Sequence, residues 1–267
     1  MKKKVVKMIV FFGSMVLIIV FLGFIQSQKK HVLCQKVNIN IAGDTSLHFI
    51  NNADAAEILK NKGFVFENTP LVEINTMEVE KAISEQPNID SVVVFFNING
   101  ELNINITQKT PLLRVIDGAG ESYYLDVNGK FMPESMDYTA RVPVATGFIF
   151  DPYYKLNTSI GAINKNDSLA KKAVIDDLYE IASEISKDSF LLELTEQLFV
   201  RTDKEIEMIP KLGADAILIG DKTNLKEKLR KLKLFYLKGL PQSGWKEYAL
   251  INLKFHDQLI CTKTTLN

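Results

Sequence analysis

Ser91–Gln108 reads SVVVFFNINGELNINITQ, and the fold of the first half of the chain turns on it. Leu102, Ile104 and Ile106 alternate with Asn103 and Asn105, the period of two that marks a strand with one face in a core. The apolar run Ser91–Phe96 precedes it. Asn97-Ile98-Asn99-Gly100 joins the two, with a glycine suited to positive φ. The stretch is a β-hairpin.

The residues before it complete a module. Val37, Ile39 and Ile41 alternate with Lys36, Asn38 and Asn40 as a half-buried strand, which Gly43-Asp44 closes. Asn51-Asn52 opens a helix through Asn61-Lys62-Gly63, with Ala55, Ile58 and Leu59 on one side. Leu71-Val72-Glu73-Ile74, after Pro70, reads as a short strand or turn. Asn75-Thr76-Met77-Glu78 has the form of a capping box. The helix it opens carries Val79, Ala82 and Ile83 and is stopped by Pro87. This order places helices on one face of a three-stranded sheet, an α+β module.

Further toward the amino end, Ile9–Ile25 carries no charge and is apolar on every side. With Val5, Val6 and Met8 it approaches the ~20 residues that cross a ~30 Å hydrocarbon layer at ~1.5 Å per residue. Lys2, Lys3, Lys4 and Lys7 precede it, which favours an amino terminus in the cytoplasm. A cleaved signal peptide is the rival reading, but Gly23–Gln28 offers no Ala-x-Ala site. The expectation is a cytoplasmic tail over residues 1–8, a retained transmembrane helix over 9–28, and the remainder outside the cytoplasm.

Past the hairpin, strands mix with two helices. Asn166 or Asp167 is expected to cap a helix through Lys187, its apolar side made by Leu169, Ala173, Ile175, Leu178, Ile181 and Ile185. Gln197–Val200, Glu205–Ile209 and Ala216–Ile219 are short strand candidates. Asn224 is expected to cap a second helix to Lys238, with Leu225, Leu229, Leu232 and Tyr236 in line. A long alternating strand ends the series, with Ala249, Ile251, Leu253 and Phe255 on one face. Gly118-Ala119-Gly120 is the expected domain boundary, so that the first domain covers residues 34–113 and the second 119–267.

Charge and motifs narrow the function. The 267 residues hold 32 basic and 32 acidic side chains, a balance that disfavours nucleic-acid binding. Cys34, Cys261, His31, His48 and His256 show no ligand spacing, so no metal centre is expected, and a Cys34–Cys261 disulfide stays open. Asp126-Val127-Asn128-Gly129 places its glycine too early for an EF-hand and reads as a hairpin turn. No Gly-x-Ser-x-Gly, His-Glu-x-x-His or P-loop occurs, and no carboxylate pair stands out as acid and base, so neither catalytic residue nor cofactor is expected. Residues 222–238 carry Lys222, Lys226, Lys228, Arg230, Lys231, Lys233 and Lys238 against Glu227, which reads as a solvated face or a surface for an acidic partner or lipid head groups.

Several segments in order resemble the bacterial cell-division family FtsQ/DivIB, in its Bacteroidetes-type form. Val37–Gly43 looks like the first strand of a POTRA domain. Pro87-Asn88-Ile89-Asp90-Ser91-Val92-Val93-Val94 and Gly100–Pro111 look like the proline, strand and "G-x-L-x-I-x-I-x-x-x-x-P" exit of that domain. Gln108-Lys109 stands where many members have Glu-Arg or Gln-Arg. Tyr124-Leu125-Asp126-x-x-Gly129 and Val142-Pro143-Val144-x-x-Gly147 resemble the opening of the family's β domain, and Trp245–Cys261 its last strands. The resemblance implies one membrane span, a POTRA domain and a mixed β domain with flanking helices.

The terminal strand then draws attention. Residues 249–261 hold neither proline nor glycine, and only Lys254 and Asp257 are charged. It is an inner strand, a covered edge, or an open edge onto which a partner adds a strand. The resemblance implies the last, with FtsB/DivIC as partner, and carries that role to Lys254, Phe255, His256, Gln258, Leu259 and Cys261. Tyr248 joins them because aromatic side chains often anchor interfaces. The implied protein is a non-enzymatic scaffold of the divisome in the inner membrane at the septum. Its bulk would be periplasmic, binding FtsB/DivIC-like and FtsL-like bitopic proteins and other division proteins and helping to control septal peptidoglycan synthesis. A membrane-anchored cell-wall enzyme and an outer-membrane assembly factor with a POTRA module are the alternatives.

Overall fold

The computed structural model describes residues 13–18, 20, 32–42, 47–136, 138–150, 159–165 and 174–264. They form two compact units that divide between Gln108 and Lys109. That division precedes the expected boundary: Gly118-Ala119-Gly120 lies in the turn between two paired strands of the second unit. Residues 13–18 and 20 are helical with exposed apolar side chains, and the rest of the 9–28 segment lies outside the described residues. Among the described residues no helix is long and apolar enough to cross a membrane.

The first unit runs β1 (Lys36–Ala42), α1 (Asn52–Asn61), a single 3₁₀ turn (Leu71–Glu73), α2 (Thr76–Ser84), β2 (Ile89–Phe96) and β3 (Glu101–Gln108). β3 is central, parallel to β1 and antiparallel to β2. Leu102, Ile104 and Ile106 are fully buried and meet Ala55, Leu59, Val79 and Ile83 from the helices. Asn51 caps α1 in a full capping box: its side chain accepts from Ala53 and Asp54 N–H, and Asp54 accepts from Asn51 N–H. At α2 the box is altered. Asn75 accepts from Met77 N–H, but Glu78 takes its bond from the Asn75 side-chain amide instead of the backbone. Gln108 ends β3 buried and satisfied, accepting from Ile50 N–H and donating to Leu47 O.

The second unit is built on one nine-stranded mixed sheet. Its strands are β4 (Pro111–Ile116), β5 (Ser122–Asp126), β6 (Phe131–Pro133), β7 (Val144–Gly147), β8 (Thr195–Val200), β9 (Ile206–Pro210), β10 (Ala216–Gly220), β11 (Tyr248–Asn252) and β12 (Ile260–Lys263). Their order across the sheet is β12-β11-β10-β9-β8-β7-β4-β5-β6. Short helices α3 (Ile160–Asn164), α4 (Ile175–Ser186), α5 (Ser189–Leu194), α6 (Leu225–Leu234) and α7 (Leu240–Ser243) pack their apolar sides onto it. The expected start of α4, with Leu169 and Ala173, lies outside the described residues.

Two positions show how the sequence enforces this sheet. Gly129 has φ +71° in the β5–β6 turn, where Asp126 accepts from Asn128 and Lys130 N–H. Gly147 has φ +101°, and an added Cβ would stand 2.2 Å from the Val200 carbonyl oxygen. Only glycine lets β7 end this close to β8.

The second helix differs from expectation. Leu225, Leu229, Leu232 and Tyr236 are buried in line. Asn224, however, sits at φ +54° and its side chain makes no cap; its backbone carbonyl begins the helix instead. The helix also does not run unbroken to Lys238. It widens to a π turn over Phe235–Gly239 and resumes as α7, and the π turn seats Tyr236 beneath Leu212, whose carbonyl it donates to at 2.9 Å. β10 and β11 are parallel, and the α6–α7 segment is the crossover between them.

Candidate functional site: the carboxyl-terminal sheet edge

β11 pairs with β10 on one side and, antiparallel, with β12 on the other. Residues 249–261 are therefore not one long strand, as their alternation predicts, but the two arms of a hairpin. The cause is local. Asn252 Oδ1 accepts the Lys254 N–H at 3.0 Å, an Asx turn that ends β11. Leu253 still donates its N–H to Leu218 O and is fully buried, but Phe255 is swung out and stands 42% exposed.

The connecting loop is held from outside. Lys254 forms an ion pair with Glu205 beside β9. Lys231, on α6, donates to the carbonyls of both Phe255 and His256. His256 has Asp257 Oδ1 at 2.7 Å from Nδ1 and Glu227 Oε2 at 3.5 Å from Nε2. The bond to Asp257 and the charges of Asp257 and Glu227 raise the His256 pKa, with Lys231 opposing.

β12 is the outermost strand, with Ile260, Thr262 and Lys263 exposed and Cys261 half-buried opposite Ile251. Among the described residues no side chain bonds to its backbone. At the loop that leads into it, a groove of about 450 Å³ runs between the loop and the α6–π segment, lined among others by Lys231, Leu234, Phe235, Lys238, Asp257 and Leu259. Leu234 and Leu237 are 47% and 55% exposed, so apolar surface continues out of the groove.

The sequence-predicted residues are thus dispersed over three places. Cys261 is on the open strand. Tyr248 is one strand in, half-buried with its ring 5.8 Å from that of Phe235. Lys254, Phe255, His256, Gln258 and Leu259 are in the loop, where Lys254 is committed to Glu205 and Leu259 lines the groove. Ile260, Thr262 and Lys263, which complete the edge, were not singled out in the sequence. The missed signal is Asn252, a turn former inside an apparently continuous strand.

The basic helix resolves into separate tasks. Lys222 bonds to Asp176 and Glu180; burial works against its charge, but these carboxylates outweigh it and raise its pKa. Lys228 is buried and pairs with Asp221, and Lys233 pairs with Asp188. Lys226, Arg230 and Lys238 are exposed and make no ion pair among the described residues. Cys34, in the first unit, and Cys261, in the second, are free thiols.

Comparison with known families agrees with this layout. A family model described as FtsQ/DivIB, C-terminal related, matches residues 110–262. One described as a POTRA-like domain matches residues 32–107. A search of the curated proteins finds no match.

Proposed function

Because the chain belongs to the FtsQ/DivIB family of cell-division proteins, we propose that it acts as a non-enzymatic scaffold whose docking strand is β12. The observation that supports this most is the open edge itself. β12 ends a nine-stranded sheet, its outer backbone groups face no strand or side chain among the described residues, and a groove with apolar, basic and acidic lining opens at the loop that leads into it. A partner segment adding a strand there would gain a row of backbone hydrogen bonds, and side chains entering the groove would confer selectivity. Lys238, exposed and outside any ion pair among the described residues, favours a partner with an acidic residue at that place.

In this reading the partners are FtsB/DivIC-like and FtsL-like bitopic proteins, and the assembly serves septal peptidoglycan synthesis. The uncharged segment Ile9–Ile25 anchors the chain in the inner membrane, with the two units on the periplasmic side. Confinement to the membrane plane raises the effective concentration of such partners. Alkaline extraction of membranes tests the anchor: the chain stays with the lipid if the reading is right and is released if it is not.

Proline substitution tests the docking strand. Along an edge strand, N–H groups alternate between the neighbouring strand and the open side. Of Cys261→Pro and Thr262→Pro, one removes a bond to β11 and the other a donor meant for the partner. The expected result is that one variant keeps its thermal stability yet loses capture of the bitopic partners from membranes. Full capture by both variants would discard the docking strand.

A further inference from the structure

We propose that the end of the first unit carrying Val32, Leu33, Val72, Met77 and Ile98 is a lipid-contact surface, seated in the head-group layer of the membrane that holds the anchor. The proposal rests on the reading of Ile9–Ile25 as that anchor.

Three segments converge at this end. Leu71 N–H donates to the Val32 carbonyl at 3.0 Å, Leu33 bridges Pro70, and Gln35 N–H donates to the Gly100 carbonyl at 3.3 Å. Gly100 closes the β2–β3 turn, and a Cβ added there would stand 3.1 Å from Val32 Cγ1 and 4.0 Å from Leu71 Cδ1. The entry segment, the 3₁₀ turn and the β2–β3 turn therefore form one surface. The start of α2 belongs to it as well. Four residues join α2 to β2, and Glu80 meets Val94, so the two elements run antiparallel. Met77, one turn before Glu80, lies toward the β2–β3 turn.

Apolar side chains are turned outward here. Ile98 is 104% exposed at the tip of the turn, and Val32, Leu33, Val72 and Met77 are exposed with it. A lone exposed aliphatic residue needs no explanation, but a group of them on one end marks a contact. Ile98 is the plainest case. It is a β-branched residue among the turn formers Asn97, Asn99 and Gly100, and none of its side chain is buried in return. At the opposite end, where β3 finishes with Gln108, the apolar Phe49 and Ile50 are buried. Val93 and Phe95, also exposed, lie apart on the helix-free face of the sheet.

The tether names the occupant. Only residues 26–31 separate Ile25 from Val32. Seven peptide steps of ~3.3–3.6 Å span at most about 25 Å, so this end cannot stand far from the bilayer. Such confinement lets a weak apolar contact suffice. Charge decides its kind. Glu73, beside Val72, is exposed, whereas Glu78 is bonded to Asn75 and Glu101 to Asn38 and Asn97. Among the described residues this end carries no basic cluster. The contact is therefore apolar insertion among the head groups, with Glu73 left in the water, and it does not need anionic lipid.

The experiment uses the full chain in phosphatidylcholine vesicles, with and without bromine on the acyl chains. Trp245 is the one tryptophan of the sequence, so Ile98→Trp in a Trp245→Phe background is a single reporter. Its emission should be quenched by the brominated chains and lie to the blue of Ala42→Trp, placed at the far end of β1, which should emit as in water and stay unquenched. Val72→Trp should be quenched too, and adding Ile98→Glu should reduce that quenching without moving the melting temperature. Alkaline extraction of the same vesicles separates the two readings. Release of the chain would overturn the anchor and the contact together. Retention with an unquenched Ile98→Trp, or with equal quenching of Ala42→Trp, would overturn the contact alone.

Discussion

The carboxylate of Glu80, on α2, accepts a hydrogen bond of 2.8 Å from the backbone N–H of Val94, on the outer strand β2. An N–H on an open edge is an invitation to another strand, and here the helix behind the sheet fills it. β12 has no counterpart of Glu80 among the described residues. The two units therefore treat their sheet edges in opposite ways.

Replacing Glu80 with Ala should cost the first unit about 1.5–3 kcal/mol, the range for a hydrogen bond to a charged group, and Glu80→Gln should recover part of it. Glu80→Ala should also self-associate through β2. Chemical denaturation and size-exclusion chromatography read the two effects; an unchanged midpoint with no new oligomer would mean that Glu80 does not guard the strand.

Lys231→Met should free the β11–β12 loop without unfolding the sheet. It removes the donors to the Phe255 and His256 carbonyls but keeps an apolar stem against the groove. Amide exchange in residues 255–259 should accelerate while protection in β8–β10 stays constant. Equal protection of the loop in both forms would contradict the role given to Lys231.

Gly147→Ala should destabilise the second unit by at least about 2 kcal/mol, because φ +101° strains any other residue and the new Cβ collides with the Val200 carbonyl. The Phe148 N–H bond to that same carbonyl would be disturbed as well. A melting temperature within one degree of the native value would show that β7 can shift away from β8 at little cost.

Asp126 should give the second unit a stability loss with rising pH. Its carboxyl is fully buried, and Oδ2 has no hydrogen-bond partner among the described residues. Burial raises its pKa, and the backbone N–H groups of Lys130 and Asn128 only partly offset this. A carboxyl whose folded pKa is above its unfolded one holds its proton longer in the native state. Stability then falls as pH climbs from the unfolded pKa of about 3.9 through the raised folded value, and stays reduced above it. Asp126→Asn keeps the turn acceptor and removes the titration. Its stability relative to the native chain should rise over that interval, as followed by denaturation at stepped pH; parallel profiles would refute the assignment.

The first unit was largely legible in the sequence because its signals are local. Leu102, Ile104 and Ile106 face the core through strict alternation, and Asn97 and Gly100 make their turn within the same stretch. The carboxyl-terminal edge was read less well. Alternation continues from Ala249 to Phe255, so pattern alone extends the strand, whereas one side-chain bond from Asn252 and two contacts from Lys231 on α6 end it. The pairing of His256 with Glu227 was out of reach for the same reason, since 28 residues and a crossover separate them in the chain. At Asn224 the residue type was right for a helix start, but the left-handed backbone directs its side chain away from the role expected of it.

The parallel pairing of β10 with β11 has one more consequence. β11 can find its place only after residues 221–247 have folded back across the sheet, and β12 can only follow β11. Parallel joins of this kind close late, since a long loop must be immobilised before any bond rewards it. On the docking role proposed for β12, the open strand would work as a proof of maturity: a half-folded copy would have nothing to show, and a companion that waits for β12 would admit finished molecules alone.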